Sequence, residues 1–543
     1  MPEPVPAGLA TAGTDTLRIL DLPLGPTATA VTAFVGRTLK GPVEEPIRIT
    51  SFAQFVQVFG GLWQPSTLSY ALDQYFENGG EEAIVVRIGC GGRPPTLDLS
   101  AGDEQLVLVG LCPGSREYLR ASVDYDGVQP HEESLFNLVV QRLRSPGSEL
   151  VEEQEIFRRL SVSEDGPRQV ASMLAASRLV RVQGAVPTQR PDITPGTGGR
   201  SLIGYVPCNA DGTDGDELSD YDVIGSETLC RGLFALEGGP NFNFLYVAPL
   251  TRERDVGMST LVVAARFCRK HHALLLVDPP LAWSSIELAL AGLRHWPFHS
   301  SDALMFYPRI ETLDRLRGRV GVFAPGGAAA GLMARADATG PHWWSTDPAQ
   351  LALRPSLRVA SAVTDTERKQ LAARGVNAFY PSRMAVPETL SARTLGEGLA
   401  VCGASRTLTA RRMLLWIAAS VERGTRWVTL EHNTAAVRER AHAQVLAFLE
   451  GLAAEGAFVA SGLGERGFVI CDERLNGELQ IASGEFHLLY GIASARPGNY
   501  DTWLVTHRAG GSRTRPVSVN RLATSGAEVQ IEIETAILRG LSR

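Results

Sequence analysis

Between Val31 and Ile88 the spacing of apolar positions changes repeatedly, and each change is marked by glycine, proline or a capping residue. The first run, Ala33-Phe34-Val35-Gly36, is a continuous apolar stretch of the kind that forms a buried strand. After Gly41 and Pro42, Phe52, Phe55, Val56 and Phe59 recur at helical spacing; Ser51 can cap that helix, Gln54 can complete a capping box, and Gly60 and Gly61 stop it. Leu68, Ala71, Leu72, Tyr75 and Phe76 repeat the pattern in a second helix, ended by Asn78, Gly79 and Gly80, and Ala83 to Ile88 is a second buried-type strand. The unit reads strand, loop, two helices, strand, and carries no reactive residue.

Further on the rhythm differs. Gln105 to Val109, Tyr118 to Val123 and Leu135 to Arg142 read as strands, with turns such as Asp126-Gly127 between them, which predicts a β-rich insertion leaving through the proline- and glycine-rich run Pro187 to Arg200. From Phe242 strand and helix alternate: FNFLYVAPL, a helix over Ser259 to Arg269, Ala273 to Asp278, a helix over Ser285 to Arg294, then ALMFYPRI. Two long helices, about Thr409 to Glu422 and Ala435 to Ala454, flank strands near the end. The expected fold class is α/β and α+β multidomain: an α/β domain interrupted by a β-rich insertion, and an α+β carboxy-terminal domain with extended terminal arms. The limits expected are 1–30 for an amino-terminal arm, 31–89 with 201–354 for the α/β domain, 90–200 for the insertion, 355–400 for a connector, 401–508 for the carboxy-terminal domain and 509–543 for a carboxy-terminal arm.

Both ends look like arms. The first thirty residues are rich in Pro, Gly and Thr, and Leu20, Leu22 and Leu24 alternate before Gly25 and Pro26. At the other end Val529, Ile531 and Ile533 alternate with Glu528, Gln530, Glu532 and Glu534 at the period of a strand, after a loop bearing Arg508, Arg513, Arg515 and Arg521 and no acid. A terminal strand with one apolar face must be covered, and pairing with a neighbouring subunit's sheet covers it as well as a return to its own domain does. Exchange of this strand between subunits is the expectation.

The order AFVGRT, GP, ITSFAQFVQVFGG, FENGG and VVRI resembles the amino-terminal signature of contractile tail sheath proteins. A second set follows in that family's order: GGAAAGLMARADATGPHWW (Gly326 to Trp344), GVNAF (Gly375 to Phe379), ASRTL (Ala404 to Leu408), WVTLEHN (Trp427 to Asn433) and AFLEGLAAEGAF (Ala447 to Phe458). The likeness covers 30–90 and 320–508; the Pro-Gly-Val-Tyr element frequent near the start of such chains is replaced by PVPAGLATAG. The resemblance implies copies stacked as six-fold rings with helical offset around an inner tube, with baseplate and terminal cap proteins as further partners, made and assembled in the cytoplasm as part of a phage tail or a phage-tail-like particle. It implies contraction that drives the tube into a target envelope. A non-contractile capping or adjoining paralogue, and more remotely a nucleotide-binding α/β enzyme, are the alternatives. On the last long helix Val437, Ala441, Val445, Phe448, Leu449 and Leu452 share one face, while Arg438, Glu439, His442 and Glu450 lie opposite with Leu446 among them. The bland reading of that second face is solvent; the resemblance implies that Arg438, Glu439, His442, Leu446 and Glu450 meet the inner tube.

Composition narrows the chemistry. A net charge of -7 argues against a general nucleic-acid coat, which needs a basic excess. Only Lys40, Lys270 and Lys369 are lysines, and the seven cysteines stand singly with no Cys-x-x-Cys, so neither a zinc site nor a disulfide framework is expected. No uncharged apolar run approaches the length of a membrane span. Gly462, Gly464 and Gly467 satisfy Gly-x-Gly-x-x-Gly, but FVICD continues as a strand where a phosphate cradle needs a helix start. Pro297 sits between His295 and His299, and the acidic loop Ala210 to Asp220 misses the EF-hand spacing. Neither Ser405 nor Asp278 has a recognisable partner for nucleophilic or base chemistry. No cofactor, metal or catalytic residue is expected.

Overall fold

The computed structural model describes residues 24, 28–195, 204–338, 340, 352–379, 392–396, 407–458, 467–493 and 500–517, and the backbone of 521–522 and 530–531. The opening unit consists of β1 (Thr32–Gly36), β2 (Ile47–Ile49), helices Phe52–Phe59 and Leu68–Glu77, and β3 (Ala83–Arg87). Ser51 Oγ accepts the amide of Gln54 at 3.2 Å, as its position predicts. The return arm differs: Gln54 Oε1 takes the amide of Thr50 at 2.9 Å, one residue before the cap. Gly60, at φ 88, ends the helix.

Next comes the β-rich unit: β4 (Thr96–Ala101), β5 (Glu104–Gly110), β6 (Tyr118–Asp124), β7 (Leu135–Leu143), β8 (Val151–Ser161), β9 (Val180–Val182) and β10 (Val206–Pro207). They form two antiparallel sheets, ordered β10-β6-β7-β8 and β4-β5-β9, around a separate core that includes Leu97, Leu106, Phe136 and Leu138. Its exit is later than the sequence implies. β10 pairs with β6, and single bridges join Thr96 to Ala210, Arg93 to Thr213 and Cys90 to Gly215, so the unit closes near 215 instead of 200. The Asp/Gly-rich exit has no apolar alternation because it returns as a stem, held by backbone pairing instead of side-chain burial.

The chain then re-enters the first sheet through β11 (Phe244–Val247), β12 (Leu274–Val277) and β13 (Ala303–Tyr307), leaves it for a small sheet of the hairpin β14 (Ile310–Asp314) and β15 (Arg319–Phe323) with β16 (Arg358–Val359), and returns through β17 (Val376–Ala378). The main sheet is seven-stranded, ordered β17-β13-β12-β11-β1-β3-β2, and parallel except for β2. Every residue of β1, β3, β11, β12 and β13 is buried, which is why these strands read as unbroken apolar runs. β17 corrects the expected connector: 355–400 holds the edge strand of this sheet and the helix Asp365–Ala373, capped by Thr364 and Glu367. Three residues are too few to show a period, so the strand is invisible until Val376 pairs with Met305.

Helix Gly326–Asp337 lies against helix Leu68–Glu77 so closely that a Cβ on Gly327 would come within 1.9 Å of the Ala71 carbonyl oxygen, and one on Gly331 within 2.5 Å of that of Tyr75. The small-residue run beginning at Gly326 exists to let two backbones touch.

The carboxy-terminal region has helices Leu408–Gly424 and Ala435–Ala454 and a four-stranded antiparallel sheet, β18 (Gly467–Ile470), β19 (Phe486–Ile492), β20 (Asp501–Arg508) and β21 (Gly511–Pro516). It shares its core with the main sheet. One continuous apolar cluster joins Phe34, Tyr75 and Tyr246 to Ile417, Val445, Tyr490 and Trp503. The opposite face of the main sheet has its own cluster, with Val35, Leu245 and Leu275 under helix Met258–Lys270.

Candidate assembly surfaces

The amino-terminal candidates divide. Leu20 and Leu22 lie outside the described residues. Leu24 is buried in the chain's own core, so close to helix Leu408–Gly424 that a Cβ on Gly424 would meet its Cδ2 at 1.8 Å. Nearby, Asn243 Nδ2 donates to the Ala28 carbonyl at 2.8 Å and Arg412 to that of Thr29 at 3.2 Å. Within this chain Leu24 packs into the same core cluster as Leu414 and Val421. At the far end, β23 (Gln530–Ile531) pairs antiparallel with β22 (Arg521–Leu522) of the same chain, which places the backbone of Ile531 opposite Arg521. Val529 and Ile533 lie outside the described residues. β21 forms the edge of its four-stranded sheet and carries Arg513 and Arg515.

Helix Ala435–Ala454 buries Val437, Ala441, Val445, Leu449 and Leu452, and Phe448 packs on Trp416 at 5.7 Å between ring centres. Glu439 and Glu450 are exposed, and His442 is half-buried. Leu446 is partly buried against the core. Arg438 departs from the wheel. It is buried, donating to the carbonyl and Oδ1 of Asn433 at 3.2 and 3.1 Å. The reason is a polar knot the sequence does not reveal: Asn433 donates to Asn476 Oδ1, and Asn476 pairs with both the amide and the carbonyl of His487 at 2.8 Å. Arg438 supplies the cation that this cluster of acceptors needs, so the open face carries Glu439 and Glu450 without it.

Helix Leu408–Gly424 is fastened to the α/β body by charge as well as by apolar packing. Asp302, fully buried, accepts from Arg411 and, at 2.9 Å, from Arg269. Arg412 meets Asp337 at 2.5 Å, both side chains 7% exposed. His272 contacts Glu422 at 3.1 Å. Burial pulls the Glu422 carboxyl upward, but its hydrogen bond to His272 and that ring's charge outweigh this and hold it below the usual range. Thr425 Oγ1 gives its proton to the Val421 carbonyl at 2.6 Å, so His507 Nε2, 2.8 Å from that oxygen, must be the donor, and Nδ1 accepts from Ser512 at 2.7 Å.

Burial pushes the His507 pKa down from 6.5 to about 4. Between those values the unfolded chain binds a proton that the folded chain refuses, so this group's contribution to stability is complete above pH 6.5 and is lost as pH falls toward 4. The loss can reach about 3 kcal/mol at the low end. Asp278 acts in the opposite sense, because burial raises its pKa from 3.8 to about 6. The expected result is that thermal unfolding of His507→Gln falls less steeply than wild type between pH 6.5 and 4.5; parallel curves would show that His507 titrates normally.

The residues weighed for chemistry serve structure where they are described. Asp278 is committed to structure, accepting from Tyr246 at 2.7 Å and from the Gly326 amide at 2.9 Å where a helix begins. In the acidic loop Asp214 accepts from Ser115, and Asp222 caps its own helix through Ser219. Among the described residues no group of three or more His, Cys, Asp or Glu is placed to hold a metal ion, and no helix is long and apolar enough to cross a membrane. Gly467 opens β18, a strand, as expected; Gly462, Gly464 and Ser405 lie outside the described residues.

No family model and no curated protein matches the sequence. Solved structures do match its fold. The sheath tail protein of Listeria innocua aligns over 91% of this chain and 99% of its own, with a TM-score of 0.59 at 13% identity. The sheath tail protein of Desulfitobacterium hafniense aligns over 93% and 100%, with a TM-score of 0.51 at 12% identity. The sheath of PVC, an extracellular contractile injection system, in its contracted state aligns over 92% and 95%, with a TM-score of 0.51 at 15% identity. The chain has the tail sheath fold over nearly its whole length.

Proposed function

We propose that this chain is a structural subunit of a contractile sheath, polymerising helically around an inner tube and contracting to drive the tube into a target envelope. The observation that carries the reading is the sharing of one fold along nearly the whole chain with sheath proteins, including one from a contracted injection system. Together with the ordered sequence landmarks, it supports membership of the tail sheath family. The partners follow: further copies in stacked rings, the inner tube, a baseplate and a terminal cap, in a phage tail or a related particle assembled in the cytoplasm and open to release. No nucleic acid, inserted membrane segment or catalysis enters the reading.

The packing fits a mechanical role. A stroke stored between subunits needs bodies that keep their shape while their contacts change. Here one apolar cluster, two Arg–Asp pairs and the His272–Glu422 contact bind helix Leu408–Gly424 to the α/β body. The assembled long form would be metastable and the short form lower in free energy, so no nucleotide need be consumed. Non-closing interfaces supply the helix. We place Glu439 and Glu450, with His442 and Leu446 beside them, toward the tube, and Val529, Ile531 and Ile533 in a strand passed to a neighbour. The engagement of Leu24 with its own chain gives a specific reason to retain a capping or adjoining paralogue as the second reading.

Negative-stain microscopy of the purified full-length chain separates these. Striated cylinders are expected for a sheath subunit. Dispersed globules that bind only the end of a preformed particle would identify a cap.

A further inference from the structure

Four large apolar side chains stand exposed within ten positions of the β14–β15 hairpin: Leu313 at 57%, Leu316 at 50%, Val320 at 66% and Val322 at 52%. Leu313 faces Val320 across the ladder, so they share one face of the sheet. Single exposed apolar residues need no explanation, but a cluster on one small element marks a surface that is covered in use. β15 is also the edge of its sheet, ordered β15-β14-β16, so its outer backbone groups have no ladder partner within that sheet. At the tip Arg319 and Arg317 are exposed, Arg317 3.8 Å from Asp314, while Arg315 pairs with Asp73 at 2.8 Å.

The hairpin is held firmly at its base. Phe323 stacks on Tyr70 at 4.9 Å between ring centres, and the Arg252 guanidinium lies 4.3 and 4.7 Å from those two rings while pairing with Asp314 at 3.1 Å. These contacts fix its base, which lowers the ordering cost of presenting the tip.

The same chain carries a surface of opposite character. A cleft of about 500 Å³ is lined by Glu217, Asp220, Tyr221, Leu250 and Asp255, with Arg254 on its wall. Tyr221 is 83% exposed, and Leu250 is buried at the apolar side. Arg254 lies 4.0 Å from Glu217, and Arg309 pairs with Asp255 at 3.3 Å, which leaves the acid in excess. The exposed Asp211, Asp214 and Asp216 lead into it. Arg254 also borders the base of the hairpin, beside Val322 and Phe323, so the hairpin and the cleft are neighbouring but separate surfaces of the subunit.

We propose that the β14–β15 hairpin of one copy seats in the acidic cleft of a second copy, with Leu316 and Val320 against Tyr221 and Leu250 and with Arg317 and Arg319 facing Glu217 and Asp220. The proposal rests on the reading that the chain polymerises and names one of its contacts. Two different surfaces of a subunit make a heterologous contact, which propagates wherever the rotation relating the copies does not close. Charge supplies register and encounter rate, and the apolar knob supplies burial.

The test uses the full chain in a polymer-pelleting assay with Arg319→Glu, Glu217→Arg and Val320→Asp, all at exposed positions, after thermal unfolding shows each to be folded. Each is expected to raise the concentration needed for assembly by roughly tenfold. Arg319→Glu and Glu217→Arg combined in one chain are expected to restore assembly to near wild type, because the pair is exchanged. Single variants that assemble like wild type, or a combined variant no better than its parents, overturn the contact alone. A wild-type chain that sediments as monomer at every concentration and salt overturns both the contact and the sheath reading.

Discussion

Asp302→Ala is expected to destabilise the folded chain by about 3–5 kcal/mol, the range for removing one partner of a buried charge pair. Asp302 is inaccessible to solvent and accepts from two guanidinium groups. Arg269 is 60% exposed and can turn to water when the carboxylate goes. Arg411 cannot: its side chain is 9% exposed, its Nε is already without a partner, and Trp503 lies 5.8 Å from its guanidinium carbon. The cost is the desolvated cation left behind, not the lost attraction. The prediction has a sign that plain loss of packing does not share. Adding Arg411→Met to Asp302→Ala should recover much of the loss, since the stranded charge is replaced by apolar volume beside Trp503. Urea midpoints of the two single variants and the combination measure this. A combination as unstable as the sum of its parts would mean that Asp302 acts through its backbone surroundings alone.

The elements legible in the sequence are those whose signal is local. Ser51 is a capping residue three positions before its partner, and the strands FLYV and LLLV are uninterrupted apolar runs, so their placement needs only neighbours. What escaped is non-local. β17 is defined by Met305, the stem closing the β-rich unit by residues 90–96, and Leu24 by a glycine in a helix near the other end of the chain. Arg411 and Arg412 did leave a trace: two adjacent arginines sit in the first half of the helix, ahead of the apolar run Met413 to Ala419, too early for the carboxy-terminal end where basic residues are ordinarily favoured. Their partners, Asp302 and Asp337, could not be named because nothing in the spacing links them. Arg438 misled for a related reason, since a helical wheel counts a charged residue as solvent-facing and is blind to acceptors such as Asn433 brought from outside the helix. The fold was reachable because many short-range signals agree on it. Assembly surfaces are harder, because their partners belong to another molecule: the hairpin Ile310–Phe323 reads as an ordinary strand pair until its exposure is seen.

Truncation after Gly526 is expected to abolish polymerisation while leaving the subunit folded. The segment removed holds Val529, Ile531 and Ile533, with Glu528, Glu532 and Glu534 alternating on the other side. A strand donated to a neighbour contributes main-chain hydrogen bonds along its whole length, and these survive rotation of the bodies it links better than side-chain contacts do. β23 lies opposite β22 in a two-residue pairing that joins none of the larger sheets, so little of the subunit's own fold depends on it. The truncated chain should therefore melt within about 1 kcal/mol of wild type, as changes away from the core generally do. Its sedimentation should remain monomeric at concentrations where the full chain pellets. Replacing Ile531 and Ile533 by lysine tests the same point without shortening the chain, since charge on the apolar side opposes burial in a neighbour's sheet. If the truncated chain still forms cylinders of normal length, the link between subunits is carried elsewhere, and the seating of the β14–β15 hairpin in the acidic cleft would have to hold the polymer unaided.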